Sequence, residues 1–330
     1  MFKSHFSLAL LLSSGLLLGS LLLSINIGSV ALGWSQITEV LLFSAQADPL
    51  TEVIIWQVRF PRLLCAMLAG AALAVCGALL QNVSRNPLAD PYLFGLMSGA
   101  GLGATIVSLW LPQAVLGMAA GAFIGALAAV LLVFTVCAGQ NWRRIEITLL
   151  AGVAVSFMLS ALSSFMLYFA DPFAANKVIF WLMGSLSRTD WFSVLLIAPG
   201  VFVALLLSFI WRRQLDALLL SDETAASLGV NISRLRLGVL VLTAAVTACV
   251  VSQCGGIVFV GLMIPHIVRY LFGVTSVRLL SASAIIGALF LLWVDNIARS
   301  VLDAQEIPLG VITSVIGSIF FLVIMRQRRG

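Results

Sequence analysis

The stretch RFPRLLCAMLAGAALAVCGALLQNVSRNPLADPYLFGLMSGAGLGA, residues 59–104, decides the fold. It opens on Arg59 and Arg62 around Pro61, runs apolar from 62 to 82, breaks at RNPLADP (85–91), and runs apolar again from 92 to 109. Two such runs around a corner stiffened by Pro87 and Pro91 read as two membrane-crossing helices. Hydrocarbon offers no partner to a backbone amide, so a segment crossing it must bond internally.

The rest of the 330-residue chain repeats the pattern. It is 62% hydrophobic and 9% charged, a mixture that cannot present a solvated surface around one buried core. Ten helices of roughly 20 residues would use about 200 positions. Spans are expected near 6–28, 62–82, 92–109, 114–138, 147–169, 191–211, 237–254, 257–271, 279–298 and 307–325. The fold class is therefore all-α and polytopic, with residues 1–330 forming a single transmembrane domain. The first run follows Lys3 and His5 and exceeds a signal-peptide core in length, so it reads as an uncleaved span.

Charge orients the spans. With the N-terminus cytoplasmic and ten spans alternating, Lys3, Arg85, Arg143, Arg144, Arg212, Arg213, Arg234, Arg236, Arg269, Arg278, Arg326, Arg328 and Arg329 fall inside. Only Arg59, Arg62, Lys177, Arg188 and Arg299 fall outside. That asymmetry places both termini in the cytoplasm, and it accounts for the net charge of +5 better than a nucleic-acid partner does, because no basic run or aromatic platform accompanies it.

Glycines recur at helical spacing in the third and fourth spans, Gly95, Gly99 and Gly103, then Gly117, Gly121 and Gly125. Each row marks a groove where another backbone approaches closely. A polar excursion, WRRQLDALLLSDETAASLGVNISRLR, separates the sixth and seventh spans. Within it Ser221 suits an N-cap, Asp222 and Glu223 the first turn, Ala225 and Ala226 the body, and Gly229 the stop. A short helix outside the membrane is expected there.

Chemistry is conspicuous by type. Lys3 and Lys177 are the two lysines and neither follows glycine, so no phosphate-binding loop is present. His5 and His266 stand alone, and the cysteines (Cys65, Cys76, Cys137, Cys249, Cys254) lack metal spacing and read as packing residues. The acids Asp90, Glu146, Asp171, Asp190, Asp303 and Glu306 lie near span ends, with Asp295 deepest. Asp295 either pairs with Arg299 one turn on or serves an ion-driven carrier as its coupling acid. The composition favours a pore or permease whose energy comes from a partner.

Three segments, 59–104, GGIVFVGLMIPHIVRYLFG (255–273) and EIPLGVITSVIGSIFFLVIMRQRR (306–329), resemble the membrane subunits of bacterial ABC importers for iron-siderophores, haem and vitamin B12, the FecCD type. The resemblance implies the type II importer permease fold and a dimer, here of two copies of this chain, around a central path in the bacterial inner membrane. It also implies two separate ATPase subunits that bind ATP and Mg, and a periplasmic substrate-binding protein. No cofactor or metal is implied for this chain, and no catalytic residue.

Carried onto this sequence, the family's outward arginines match Arg59, Arg62 and Arg299, which would form a basic pocket for acidic residues of the binding protein. Without the resemblance, Arg59 and Arg62 would read as lipid-phosphate anchors, set against both the helix dipole and the inside preference for positive charge. Residues Ser221, Asp222, Glu223, Thr224, Ala225, Ala226, Leu228 and Gly229 match the coupling helix that enters a groove of the ATPase. Asn86 and Leu88 are placed near a cytoplasmic gate, with a structural corner as the alternative. Ser156, Ser160, Ser163, Ser164 and Met166 on the fifth span are candidates for the path, though one helix cannot turn all of them to it. The sequence departs from the family most in its first 50 residues and in ADPFAANK (170–177), expected as an outward loop, which leaves siderophore, haem and vitamin B12 open as cargo.

Overall fold

The computed structural model describes residues 6–28, 30, 32–42, 44, 48–111, 117–137, 145–302 and 305–327. Lys3, His5, Arg143, Arg144, Asp303, Arg328 and Arg329 lie outside them. Every regular element among the described residues is helical: α1 (Phe6–Asn26), α2 (Trp34–Leu41), α3 (Pro49–Val53), α4 (Phe60–Ser84), α5 (Leu96–Trp110), α6 (Gly117–Val136), α7 (Ile145–Tyr168), α8 (Pro172–Leu182), α9 (Trp191–Ile210), α10 (Arg212–Leu218), α11 (Asp222–Ser227), α12 (Ile232–Cys254), α13 (Val260–Phe272), α14 (Ser276–Ser300) and α15 (Leu309–Gln327). Eight helical stretches are long and apolar enough to cross a membrane. α5 and α13 are shorter apolar helices, at the third and eighth expected positions. A helix of 15 residues reaches about 22 Å, so α5 spans less than the hydrocarbon thickness of roughly 30 Å.

Four helices were not expected. α2 and α3 precede the second span, α10 leads into α11, and α8 occupies the segment read as an outward loop. Asp171 explains α8: its carboxylate accepts from Phe173 N and Ala174 N, and Pro172 sits at the first helical position, where a missing N–H costs nothing.

The second span also begins earlier than expected. α3 starts at Pro49 under an Asp48 cap and passes through a π-helical segment, Ile54–Arg59, into α4 without interruption. Pro61 cannot donate to the carbonyl four residues back, and the widened π turn just upstream accommodates that lost bond. Arg59 and Arg62 are therefore interior positions of a long helix, so the dipole penalty argued for a helix start does not apply to them.

α4 is the axis of the molecule, nearly all of its residues buried against α14, α9, α12 and α13. Close approach is built from small residues: a Cβ on Gly77 would lie 2.0 Å from Gly261 O of α13. The expected glycine grooves of the third and fourth spans face each other, with a Cβ on Gly103 meeting Gly121 O at 2.0 Å and one on Gly99 meeting Gly125 O at 2.3 Å. Gly95 instead ends the preceding 3₁₀ turn at φ +77°. Because the obstructing atoms are backbone, Gly77→Ala must push two helices apart, and we expect a loss of about 2–3 kcal/mol, read as an earlier thermal unfolding midpoint. Gly15→Ala, where a Cβ meets nothing within 4 Å, is the control that should not move.

Candidate functional site

The alternating helices bring two polar clusters to opposite ends of α4. At the first end, Arg62 lies among α14 and the segment before α15. Its Nη2 and Nε donate to Asp295 Oδ1 at 2.8 and 3.0 Å, while Nη1 and Nη2 donate to Glu306 Oε1 and Oε2 at 2.7 and 2.9 Å. Asp295 is fully buried, and Arg299 Nε stands 3.0 Å from its other oxygen as an i, i+4 ion pair whose N–H is not aimed along a hydrogen bond. Arg299 also donates to Ile27 O and to Asn296 Oδ1, each at 2.6 Å. Asn296 in turn donates to Ser24 Oγ of α1.

Arg59 completes this end by donating to the carbonyls of Ile25, Asn26 and Val30. The carbonyls of Ile25 and Asn26 are orphan acceptors at the C-terminus of α1, where a cation is favoured, and Val30 lies just beyond it. The open basic pocket expected from Arg59, Arg62 and Arg299 takes a different form: Arg59 and Arg62 are buried, the Arg299 side chain is 5% exposed, and all three hold the chain's own carboxylates and carbonyls. The reason is long-range pairing, since Arg62 finds its acids 233 and 244 residues away. Of the two readings of Asp295, the pair with Arg299 is the one observed. Its carboxylate is engaged from both sides, by Arg62 of α4 and by Arg299 one turn along α14.

At the opposite end lies α11. Ser221 Oγ accepts from Thr224 N at 2.9 Å, and Gly229 follows at φ +83°, so start and stop stand where expected. Ala225 is buried, while Glu223, Ala226 and Leu228 are exposed. Asp222 has a role the sequence did not reveal. Its carboxylate receives Arg236 Nη1 and Nη2 at 3.1 Å each and Arg85 Nη2 at 2.7 Å. Arg236 Nε donates to Val83 O and Arg85 Nε to Leu218 O, so one carboxylate clamps α11 to the end of α4 and the start of α12. Asp216 adds a tie to α14 by accepting from Ser276 N at 2.7 Å. Arg269 reaches α4 again through Gln81 and Asn82. Charge orientation places Arg85 and Arg236 on the same side as α11 but does not reveal the clamp, because its partners are 14 to 137 residues apart.

Asn86 and Leu88 lie beside the clamp. Asn86 Oδ1 accepts from Leu88 N at 2.9 Å, closing a local turn, and Leu88 is exposed. Asn86 thus closes a corner of the chain, and Leu88 stands exposed beside it.

A little deeper, Asp90 caps a 3₁₀ turn by accepting from Tyr92 N. Burial pushes its carboxyl up to about 6, against the pull of that one N–H. Since the folded chain then holds the proton more tightly than the unfolded one, stability falls as pH climbs from about 4 to 6 and stays lower above. Asp90→Asn keeps the cap acceptor and is expected to gain on the order of 2 kcal/mol at pH 7 while flattening that window; an unchanged pH profile of thermal unfolding would refute this.

The path candidates on α7 divide. Ser163 is buried and bonded to Thr105 Oγ1 of α5 at 2.9 Å, and Ser156 turns onto Gly152 O of its own helix. Ser160 donates to Ser98 at 3.0 Å yet stays exposed, as does Ser164, and Met166 borders a surface hollow with Phe165 and Phe169.

Among the described residues no group of three His, Cys, Asp or Glu is placed to hold a metal. Apolar helices in this number, knit at both ends by charged clusters, define a multi-pass membrane protein. Residues 16–327 match the FecCD transport family, and the chain belongs to that family. It is 35% identical to the molybdate import system permease protein of Haemophilus influenzae, over 96% of this chain and 94% of that one. It is 36% identical to the hemin transport system permease protein of Yersinia pestis (93% and 94%) and to the Fe(3+) dicitrate transport system permease protein of Escherichia coli (95% and 96%). A solved metal-chelate type ABC transporter in an inward-facing conformation superposes with a TM-score of 0.84 at 33% identity, covering 97% of this chain and 99% of that one. The fold is that of the type II ABC importer permeases, and the chain is a transport component of such a system.

Proposed function

We propose that this chain is the permease subunit of an ABC importer that carries an iron-siderophore or related metal chelate, with haem or vitamin B12 as the alternative cargo. Two copies would flank a path across a bacterial inner membrane, with two ATPase subunits inside and a binding protein outside. The observation that carries this reading is a near full-length match to permease proteins whose named cargoes are oxyanions or metal complexes.

Chemistry supports the assignment of parts. α11 projects Glu223, Ala226 and Leu228, a face suited to an ATPase groove, while Asp222 holds it to α4. Closure of the ATPase would thereby move the axis helix instead of a loose loop. ATP and Mg belong to that partner. Exposed Ser160 and Ser164, with Met166, suit a path that passes cargo without gripping it, and α7 and α15 expose apolar rows on which a second copy would pack. Leu88 suits the inner gate. The binding-protein docking assigned to Arg59, Arg62 and Arg299 would act indirectly, by fixing the loops that the partner touches.

In proteoliposomes the purified chain should show no ATP hydrolysis alone and should gain substrate-stimulated hydrolysis with uptake once its ATPase and binding protein are added. Glu223→Lys should weaken association with the ATPase. Uptake that persists without ATP would sink the proposal.

A further inference from the structure

At the Arg62 end, a cavity of about 680 Å³ opens between α8, α9, α12 and the segment before α15. Its floor is built from irregular backbone that interlocks: Ser185 N donates to Cys254 O, Leu309 N to Gly184 O and Gly310 N to Met183 O. Non-helical backbone at the end of a membrane bundle is tolerated where it lines a polar cavity. The size falls within the range of small-ligand sites.

The charges on its wall are unequally engaged. Asp190 commits its Oδ1 to the start of α9, accepting from Ser193 N at 2.9 Å and Ser193 Oγ at 3.0 Å. Glu306 gives both oxygens to Arg62. Lys177 of α8 and Arg188 also line the cavity, and both are exposed. Among the described residues neither of them makes an ion pair or a hydrogen bond. Hydroxyl and amide groups of Ser185, Ser187 and Gln253 stand around them. Both acids are engaged within the fold, and the cations are left for something else.

We infer that this cavity is an acceptor site for an anionic metal chelate, a metal wrapped in carboxylate or similar oxygen ligands with net negative charge, met by Lys177 and Arg188. The inference rests on the importer reading and deepens it, because it selects the charge class of the cargo. Arg188 offers a planar fork to a carboxylate and Lys177 a mobile point charge, a pair that accepts charge without demanding one shape. A neutral chelate of the same size leaves both cations solvated and gains nothing from them.

The test is equilibrium dialysis of the full chain in lipid nanodiscs against radio-iron as ferric citrate, which is anionic, and as a ferric hydroxamate of zero net charge, at millimolar concentration. Wild type should retain ferric citrate at least tenfold more than the neutral chelate. Lys177→Gln/Arg188→Gln should lose that preference and leave neutral retention unchanged. Equal retention of the two chelates by wild type, or undiminished citrate retention in a double variant that elutes as wild type does, overturns the inference. Should the double variant misfold, Lys177→Gln alone must lower citrate retention severalfold, and no change overturns it equally. ATP-driven uptake by the complete system is scored separately. Its absence beside intact citrate preference discards the importer and keeps the site, whereas uptake of both chelates without preference discards the site and keeps the importer.

Discussion

Asp295→Ala is expected to remove folded protein from the membrane. The substitution leaves Arg62 and Arg299, both nearly buried, facing an empty position that had balanced them. Removing one partner of a buried ion pair typically costs 3–5 kcal/mol, roughly half of a domain's whole stability of 5–15 kcal/mol. Asp295→Asn keeps the volume but not the charge and should be nearly as damaging. Glu306→Gln, at a half-exposed position, should cost about 1 kcal/mol or less. The readout is the yield and thermal midpoint of detergent-extracted protein. Wild-type values for Asp295→Ala would mean that the cluster does not hold this end together. A well-folded Asp295→Asn that lost only proton-driven uptake would revive the carrier reading.

Arg236→Ala should uncouple the assembled importer, lowering uptake per ATP hydrolysed at least tenfold. Buried Arg236 reaches Asp222 with two nitrogens and Val83 O with a third, and it is the most enclosed member of the clamp. Without it α11 keeps one half-exposed salt bridge to Arg85, an interaction worth about 1 kcal/mol at most. Movement of α11 would then be absorbed in the short connection between α10 and α11 and would not reach α4. Arg236→Lys should recover little, because an ammonium group cannot bridge two carboxylate oxygens and a carbonyl at once. Arg85→Ala should have the milder effect. Since Arg236 holds α11 through Asp222, ATPase association should survive; loss of association with unchanged coupling in whatever complex remains would show that the clamp only folds the helix.

Much of the molecule could be read from residue order alone. Hydrocarbon demands internally bonded, apolar segments, so the eight long apolar helices and the two shorter ones, α5 and α13, all surfaced as runs. α11 was legible because a cap, acidic first turn and terminal glycine are local features. The glycine rows of the third and fourth spans announced close contact, though not that they would contact each other. α8 was missed because its cap and proline lie inside a segment otherwise read as a loop, and the early start at Pro49 was hidden by a π turn that no local signal marks.

What the sequence could not disclose were partners. Arg59, Arg62 and Arg299 stand out in the sequence as cations on the disfavoured side, and the family resemblance implies an outside acid for them. Only tertiary structure places Asp295, Glu306 and the carbonyl end of α1 against them, and gives Asp222 to Arg236. Spans and caps follow from neighbours along the chain, which the sequence contains. Whether a charge is spent or free depends on residues hundreds of positions away, and that is decided only when the helices pack.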